Sequence, residues 1–304
     1  MAFLQRAIEA QVHRLVGFGE GATDLDNPPG DPGLFGPGSA AWRVHGDFTA
    51  MITGGIAALF LQMLHPRALA GVWDHSRWRE DTLGRLKRTA QFVGGTTYGG
   101  TGEAERLIAK VRAIHAHVRG TLPDGTSYSA EDPDLLAWVH VTEMRCFLEA
   151  RIRYGPDGLE PGDADLYFAE TAVIARKLGA TWLPDTRAEA DAYLERTRPE
   201  LRHDDRTRQV AEALLRQSAP NPLVAPAGRL FLRAGIALLP DWAARMHGFR
   251  RPQLTPLSAW SLRRLAGALR WAIRDGSPAR GMRRAAALDK AGQPRHKAAA
   301  GEAG

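Results

Sequence analysis

LGRLKRTAQF (Leu83 to Phe92) and, about one helix later, VRAIHAHVRG (Val111 to Gly120) are the stretches on which the fold turns. As helices they place Arg85, Arg88, Thr89 and Phe92 at i, i+3, i+4 and i+7, and Arg112, His115 and Arg119 at i, i+3 and i+7. Each set lines one face. Two helices so patterned turn guanidiniums and an imidazole inward, which an apolar core does not tolerate, because a buried charge is costly unless paired. The alternative for Arg85, Lys87 and Arg88 is a solvated basic face.

Outward from these two stretches the helical pattern is nearly continuous. Phe48 to Leu64 is apolar on almost all sides and stops at Pro66. Pro66 to Val72 restarts as a short helix, and Thr82 to Phe92 is closed by Gly94, Gly95, Gly99 and Gly100. Glu103 to Arg119 is amphipathic and ends at Gly120, and a turn at Asp132-Pro133 opens a long helix from Asp134 to Arg153. Asp165 to Leu178, capped by Gly179, is followed by Thr186 to Arg196, Asp205 to Gln217, Ala225 to Leu238, Pro240 to His247 and Pro256 to Arg274. Strand character is confined to Thr96-Thr97-Tyr98 and to Gly125 to Tyr128, where LPDGTSY suits a small hairpin. No βαβ rhythm and no internal repeat is present, so the expected class is all-α. The expected organisation is a helix and Gly/Pro-rich loop over 1–40, a helical domain over 41–275 and a basic, disordered tail over 276–304.

The 304 residues are enough for a large core, and 44% hydrophobic with 24% charged residues is the balance of a globular protein. The net charge of +6 gathers towards the C-terminus, at Arg263, Arg264, Arg270, Arg274, Arg280, Arg283, Arg284, Arg295 and Lys297. That segment reads as a solvated basic tail, with weak contact to an anionic surface as the sharper reading. No motif points to nucleic acid. The single cysteine, Cys146, excludes an intrachain disulfide and a cysteine metal site. The N-terminus is broken by Gln5, Arg6, Glu9 and His13, as in an amphipathic helix and not a signal peptide. The longest apolar run, Met51 to Leu64, is shorter than the roughly 20 residues a bilayer requires. The cytoplasm is the default expectation. Gly94-Gly95 and Gly99-Gly100 lack the following Lys-Ser/Thr of a phosphate loop, and no GxSxG occurs.

An anionic prosthetic group that takes one nitrogen ligand would account for both opening stretches. Haem b fits, with iron for a histidine and propionates for arginines. Of ten histidines, His115 stands between Arg112 and Arg119. His117 falls on the opposite side of that helix. His140 lies in AWVHVTEM with Met144 and Phe147 at i+4 and i+7, and is the second candidate ligand, or a packing residue that bonds a carbonyl or propionate. His65 and His75 read as helix-end residues or as the rim of an entrance. His65, Asp74 and His75 are the set from which a non-haem site would have to be drawn. His13, His45, His203, His247 and His296 carry no signal. Phe92, Trp138 and Met144 are candidates to line the cofactor, alongside Trp73, Trp78, Tyr98 and Phe147, all of them equally plain as core.

The order HPRALAGVWDHSRWREDTLGRLKRT, VRAIHAHVRG and SAEDPDLLAWVHVTEMRCFLEA resembles the MpaB-type oxygenases and rubber oxygenases (latex-clearing proteins). The likeness extends through LGATWLPDT, YLERTRPEL and ALLPDWAARMHGF, covering roughly residues 40 to 250. It implies a globin-like packing of central helices around haem b, with the Arg-x-x-His pattern at Arg112 and His115 supplying the proximal ligand. It implies a distal side from Arg85, Arg88 and Thr89, the rubber-cleaving members having Arg, Lys and Thr there. Arg88 in place of that lysine is a departure, because a guanidinium stays protonated and does not ligate iron. The distal glutamate of those members has no evident counterpart. The implied activity is oxidation or cleavage of an apolar organic substrate with dioxygen or peroxide. A non-catalytic haem carrier or sensor and a cofactor-free helical interaction protein are the other classes to be separated.

Overall fold

In the computed structural model, residues 5–6, 8–12, 23–217, 224–250 and 254–291 are described. The parts of the N-terminal and C-terminal segments outside these ranges, with His13, Arg295, His296 and Lys297, lie outside the described residues. The apolar run becomes α2 (Phe48–Gln62), preceded by the short α1 (Ala40–His45). Asp47 caps α2 by accepting from the Ala50 amide at 2.8 Å. The helix is apolar all round because it is covered on two sides. On one side runs the long α6 (Pro133–Tyr154). A Cβ on Gly54 would come within 2.9 Å of the Cys146 carbonyl and the Phe147 Cα, so glycine sets the distance between the helices. On the other side is α10 (Ala225–Ile236), where Gly235 meets Ile56.

Between α2 and α6 in sequence come α3 (Pro66–His75), α4 (Thr82–Tyr98), α5 (Thr101–His115) and a hairpin of β1 (Arg119–Thr121) and β2 (Ser127–Ser129). The strands are antiparallel, with Gly120 opposite Tyr128. Tyr128 folds over Gly120 and donates to Asp74 of α3 at 2.6 Å. The hairpin expected at LPDGTSY is therefore present and is fastened to α3. After α6 follow α7 (Asp163–Leu178), α8 (Arg187–Thr197), α9 (Asp205–Arg216), α10, α11 (Asp241–Met246), α12 (Pro256–Ala272) and α13 (Ser277–Ala291). The class is all-α.

Three expectations are corrected. Gly94 and Gly95 do not end α4, which runs on to Tyr98, so Thr96-Thr97-Tyr98 is its last turn and not a strand. Gly95 instead lets α5 approach, since a Cβ there would overlap Leu107. The amphipathic helix stops at His115, and Arg119 stands on β1. The stretch after 276, expected to be a disordered tail, forms α13 over Ser277–Ala291 and packs on α4. Arg284 is 2% exposed and donates to the carbonyls of Leu25 and Asp31 at 2.8 and 2.9 Å. Among the described residues no single helix is long and apolar enough to cross a membrane; α2 and α3 together pass by length and composition, but bend by 104° between them.

Candidate active site

α4 starts at an Asp81 cap, whose side chain accepts from the Gly84 amide at 2.8 Å. From there the helix divides the expected face in two. Arg88 is exposed and pairs with Asp81 at 3.2 Å, and Thr89 is exposed, its hydroxyl donating back to the Arg85 carbonyl at 3.2 Å. Arg85 and Phe92 turn inward, seven residues apart and so two turns along one side. Phe92 packs against the main core. Arg85 reaches only the Ser76 hydroxyl, at 3.5 Å, and no carboxylate pairs with it among the described residues. Burial, helped by the like charge of Arg88, pulls its pKa down to about 10. An enclosed guanidinium without a counter-ion is an anion site in want of an anion.

His115 is in the last turn of α5. It is half-buried, and its Nδ1 is enclosed with no hydrogen-bond partner. Burial lowers its pKa, opposed by Glu131, so the ring is neutral at pH 7 and has a lone pair to donate. Arg112, one turn earlier, is exposed, as is His117. Arg119, also exposed, leaves the helix altogether, so the three-residue face expected of this segment reduces to Arg112 and His115.

α6 supplies the deepest polar groups. His140 is 8% exposed, and burial, with the charge of Arg176 second, lowers its pKa to about 4. Among the described residues no carbonyl receives its ring, which leaves a propionate as the other partner expected of it. One turn on, Glu143 has neither a hydrogen bond nor a counter-ion among the described residues, and burial raises its carboxyl to about 7. His45 of α1 is held between Thr97 Oγ1 at 2.9 Å and the Tyr167 hydroxyl at 2.6 Å. Burial, then the charge of His140, pushes it down to about 3. Tyr167 in turn feels Glu143. His45, His140, Glu143 and Tyr167 thus share one buried polar neighbourhood where α1, α6 and α7 meet.

The other expected residues fall into the packing. Met144 is buried, its sulfur 3.1 Å from the Tyr167 hydroxyl. Trp138 is fully buried, donates to the Gln62 carbonyl at 3.3 Å and lies against His65 and Tyr193, so it packs in the core between α2 and α8. His65 is the N-cap residue of α3 with Nε2 3.5 Å from Glu200, and His75 meets the Tyr128 hydroxyl at 3.2 Å. His65, Asp74 and His75 therefore do not converge. Among the described residues no three His, Cys, Asp or Glu side chains gather as a metal-binding set. What the interior offers is single neutral imidazoles and an unpaired guanidinium. That donor set suits a group that brings its own equatorial ligands and its own negative charge.

The family model described as ER-bound oxygenase mpaB/B'/Rubber oxygenase, catalytic domain, matches residues 42–271. The chain belongs to this family. Its activity is accordingly that of an oxygenase, acting on a substrate with dioxygen. No curated protein and no solved structure matches the chain. The matched span contains every site residue described above, from His45 to Tyr167. Sequence reading alone passed over three of them, Glu143, His45 and Tyr167. Glu143 had a visible signal, since an acid three residues after His140 on an apolar helix shares its face. His45 had none, because only the fold brings α1 beside α6.

Proposed function

We propose that this protein is a haem b-dependent oxygenase that oxidises or cleaves an apolar organic substrate, with His115 as the residue that would hold the iron. Family membership carries the oxygenase activity. The haem reading rests on one observation: among the described residues the Arg85 guanidinium of α4 meets no carboxylate, only the Ser76 hydroxyl at 3.5 Å, and the buried Nδ1 of His115 on α5 has no partner. Bound haem would supply the iron that activates dioxygen. Arg85 would hold a fixed positive charge where negative charge develops on the oxidant, the kind of preorganised charge that lowers a barrier in a water-poor site. Arg112, exposed one turn from His115, would take a propionate at the solvent edge. Phe92 would add an apolar ring on the inward side of α4 beside Arg85, and the Glu143 carboxyl, with a pKa of about 7, can hold or give up a proton near neutral pH. Thr89 stands at the exposed edge of the same helix and would bond the oxidant only from there.

His140 is the alternative ligand, favoured by its burial and, among the described residues, a ring free of hydrogen bonds. Two variants separate the readings. After expression with ample haem, the pyridine haemochrome assay should give about one haem per chain. His115→Ala should lose most of it, and His140→Ala should keep it. The reverse result moves the ligand to His140, and a colourless wild-type protein removes the cofactor from the proposal.

A further inference from the structure

α12 buries one apolar side and displays another. Leu262, Ala266, Leu269 and Ala272 face the protein. Arg270 fastens that side, bonding Asp47 at 2.6 Å and the Tyr154 carbonyl at 3.0 Å. The opposite face carries Leu257, Trp260, Arg264, Gly267, Ala268 and Trp271, all exposed. At 3.6 residues per turn these six fall within an arc of about 100°. Leu257 is 71% exposed and Trp260 is 55% exposed. No Asp or Glu occurs between Pro256 and Ala272. Arg263 and Arg264 are exposed without a carboxylate partner among the described residues, and Arg264 lies 5.9 Å from the Trp260 ring.

We infer that this outer face of α12 is a docking surface for an anionic lipid bilayer, on which the helix lies in the interface plane. The chemistry of the stripe selects that partner. Indole rings settle at the level of lipid headgroups, the leucine reaches the acyl boundary, and unpaired arginines beside them neutralise lipid phosphates. A nucleic acid would use the arginines and stack on the indoles but has nothing for a protruding leucine. A second copy would bring arginine against arginine, because the helix has no acid to offer its twin. The surface stands on its own geometry and does not depend on which cofactor the interior holds.

The full chain should be mixed with sucrose-loaded vesicles of phosphatidylcholine containing about one-third phosphatidylglycerol, and the bound fraction read by sedimentation. Binding is expected with the anionic vesicles and not with pure phosphatidylcholine, weakening at least tenfold at high salt. Arg263→Glu with Arg264→Glu, and separately Trp260→Ala with Trp271→Ala, should each lower the partition coefficient tenfold or more. Both pairs are exposed, so circular dichroism should be unchanged. Absence of binding to anionic vesicles overturns the inference. Binding that survives both double variants overturns it too, since another basic segment is then responsible. If the tryptophan pair instead abolishes self-association in sedimentation velocity, or retention of a single-stranded oligonucleotide without affecting vesicle binding, the face belongs to that other partner.

Discussion

Arg85 and Glu143 show how a single buried group can oppose stability. Among the described residues neither has a partner of opposite charge. Replacing an unpaired buried charge by an apolar side chain of similar length removes its desolvation penalty. Arg85→Met should therefore stabilise the haem-free protein by about 1–2 kcal/mol in urea unfolding, while weakening haem retention, a trade of stability against function. A variant that destabilises the haem-free protein would mean that the guanidinium is satisfied where it stands. For Glu143 the sign follows from its raised pKa. The folded state holds the proton up to about pH 7, whereas the unfolded carboxyl releases it near 4.5. The fold is unpenalised below pH 4.5, loses stability as pH rises from there to 7, and loses no more above it. Glu143→Gln should thus match the wild type at pH 4 and exceed it at pH 8, by about 3 kcal/mol for a shift of this size. Melting temperatures of the two haem-free proteins across that range check it, and parallel curves would show that Glu143 does not titrate on folding.

At the scale of elements, the decisive contact is α2 on α6. Gly54 lets the two backbones approach, and alanine there would press on main-chain atoms of α6 at 2.9 Å. A rigid helix backbone cannot yield as a side chain does, so Gly54→Ala should cost about 2 kcal/mol by overpacking. Urea midpoints measure this, and an unchanged midpoint would show that the helices slide apart freely. α6 also carries His140 and Glu143, on the same side as the Phe147 that Gly54 meets, so the same substitution should disturb this polar neighbourhood as well. α4 teaches a related lesson. A helix face inferred from spacing alone grouped Arg85, Arg88, Thr89 and Phe92, but a burial stripe narrower than that arc divides it. Arg85 and Phe92 go in, and Arg88 and Thr89 stay out.

Over the whole molecule, the C-terminal helix closes the structure over the N-terminal loop. Arg284 of α13 joins Leu25 and Asp31 in that loop through their carbonyls, nearly shielded from water. Charged hydrogen bonds enclosed in this way are expensive to break one-sidedly, because the carbonyls are left without donors. Arg284→Met should cost about 3 kcal/mol. The loss should be local: amides of 277–287 and 23–33 should exchange with deuterium much faster, while those of α2 and α6 keep their protection. Uniform loss of protection would show that the closure is part of the main cooperative unit.

Some of this was fixed by sequence and some was not. Apolar periodicity, proline and glycine punctuation and the Asp-Pro turn already determine an all-α chain, most helix boundaries to within a few residues and the small hairpin at LPDGTSY, because those signals act through the local backbone. The order of the motifs determines the oxygenase family. The end of α5 before Arg119, the continuation of α4 through its glycines and the folding of residues 277–291 were decided by packing. At the first two places local propensity is weak and burial against α3 and α5 outweighs it; residues 277–291 are rich in the helix formers Ala and Arg, and packing on α4 and the N-terminal loop holds them. The buried polar neighbourhood is likewise tertiary. His45 and Tyr167 come from segments far apart in the chain, and only the packing of α1, α6 and α7 buries them with His140 and Glu143, removing the water that would otherwise leave their protons unremarkable.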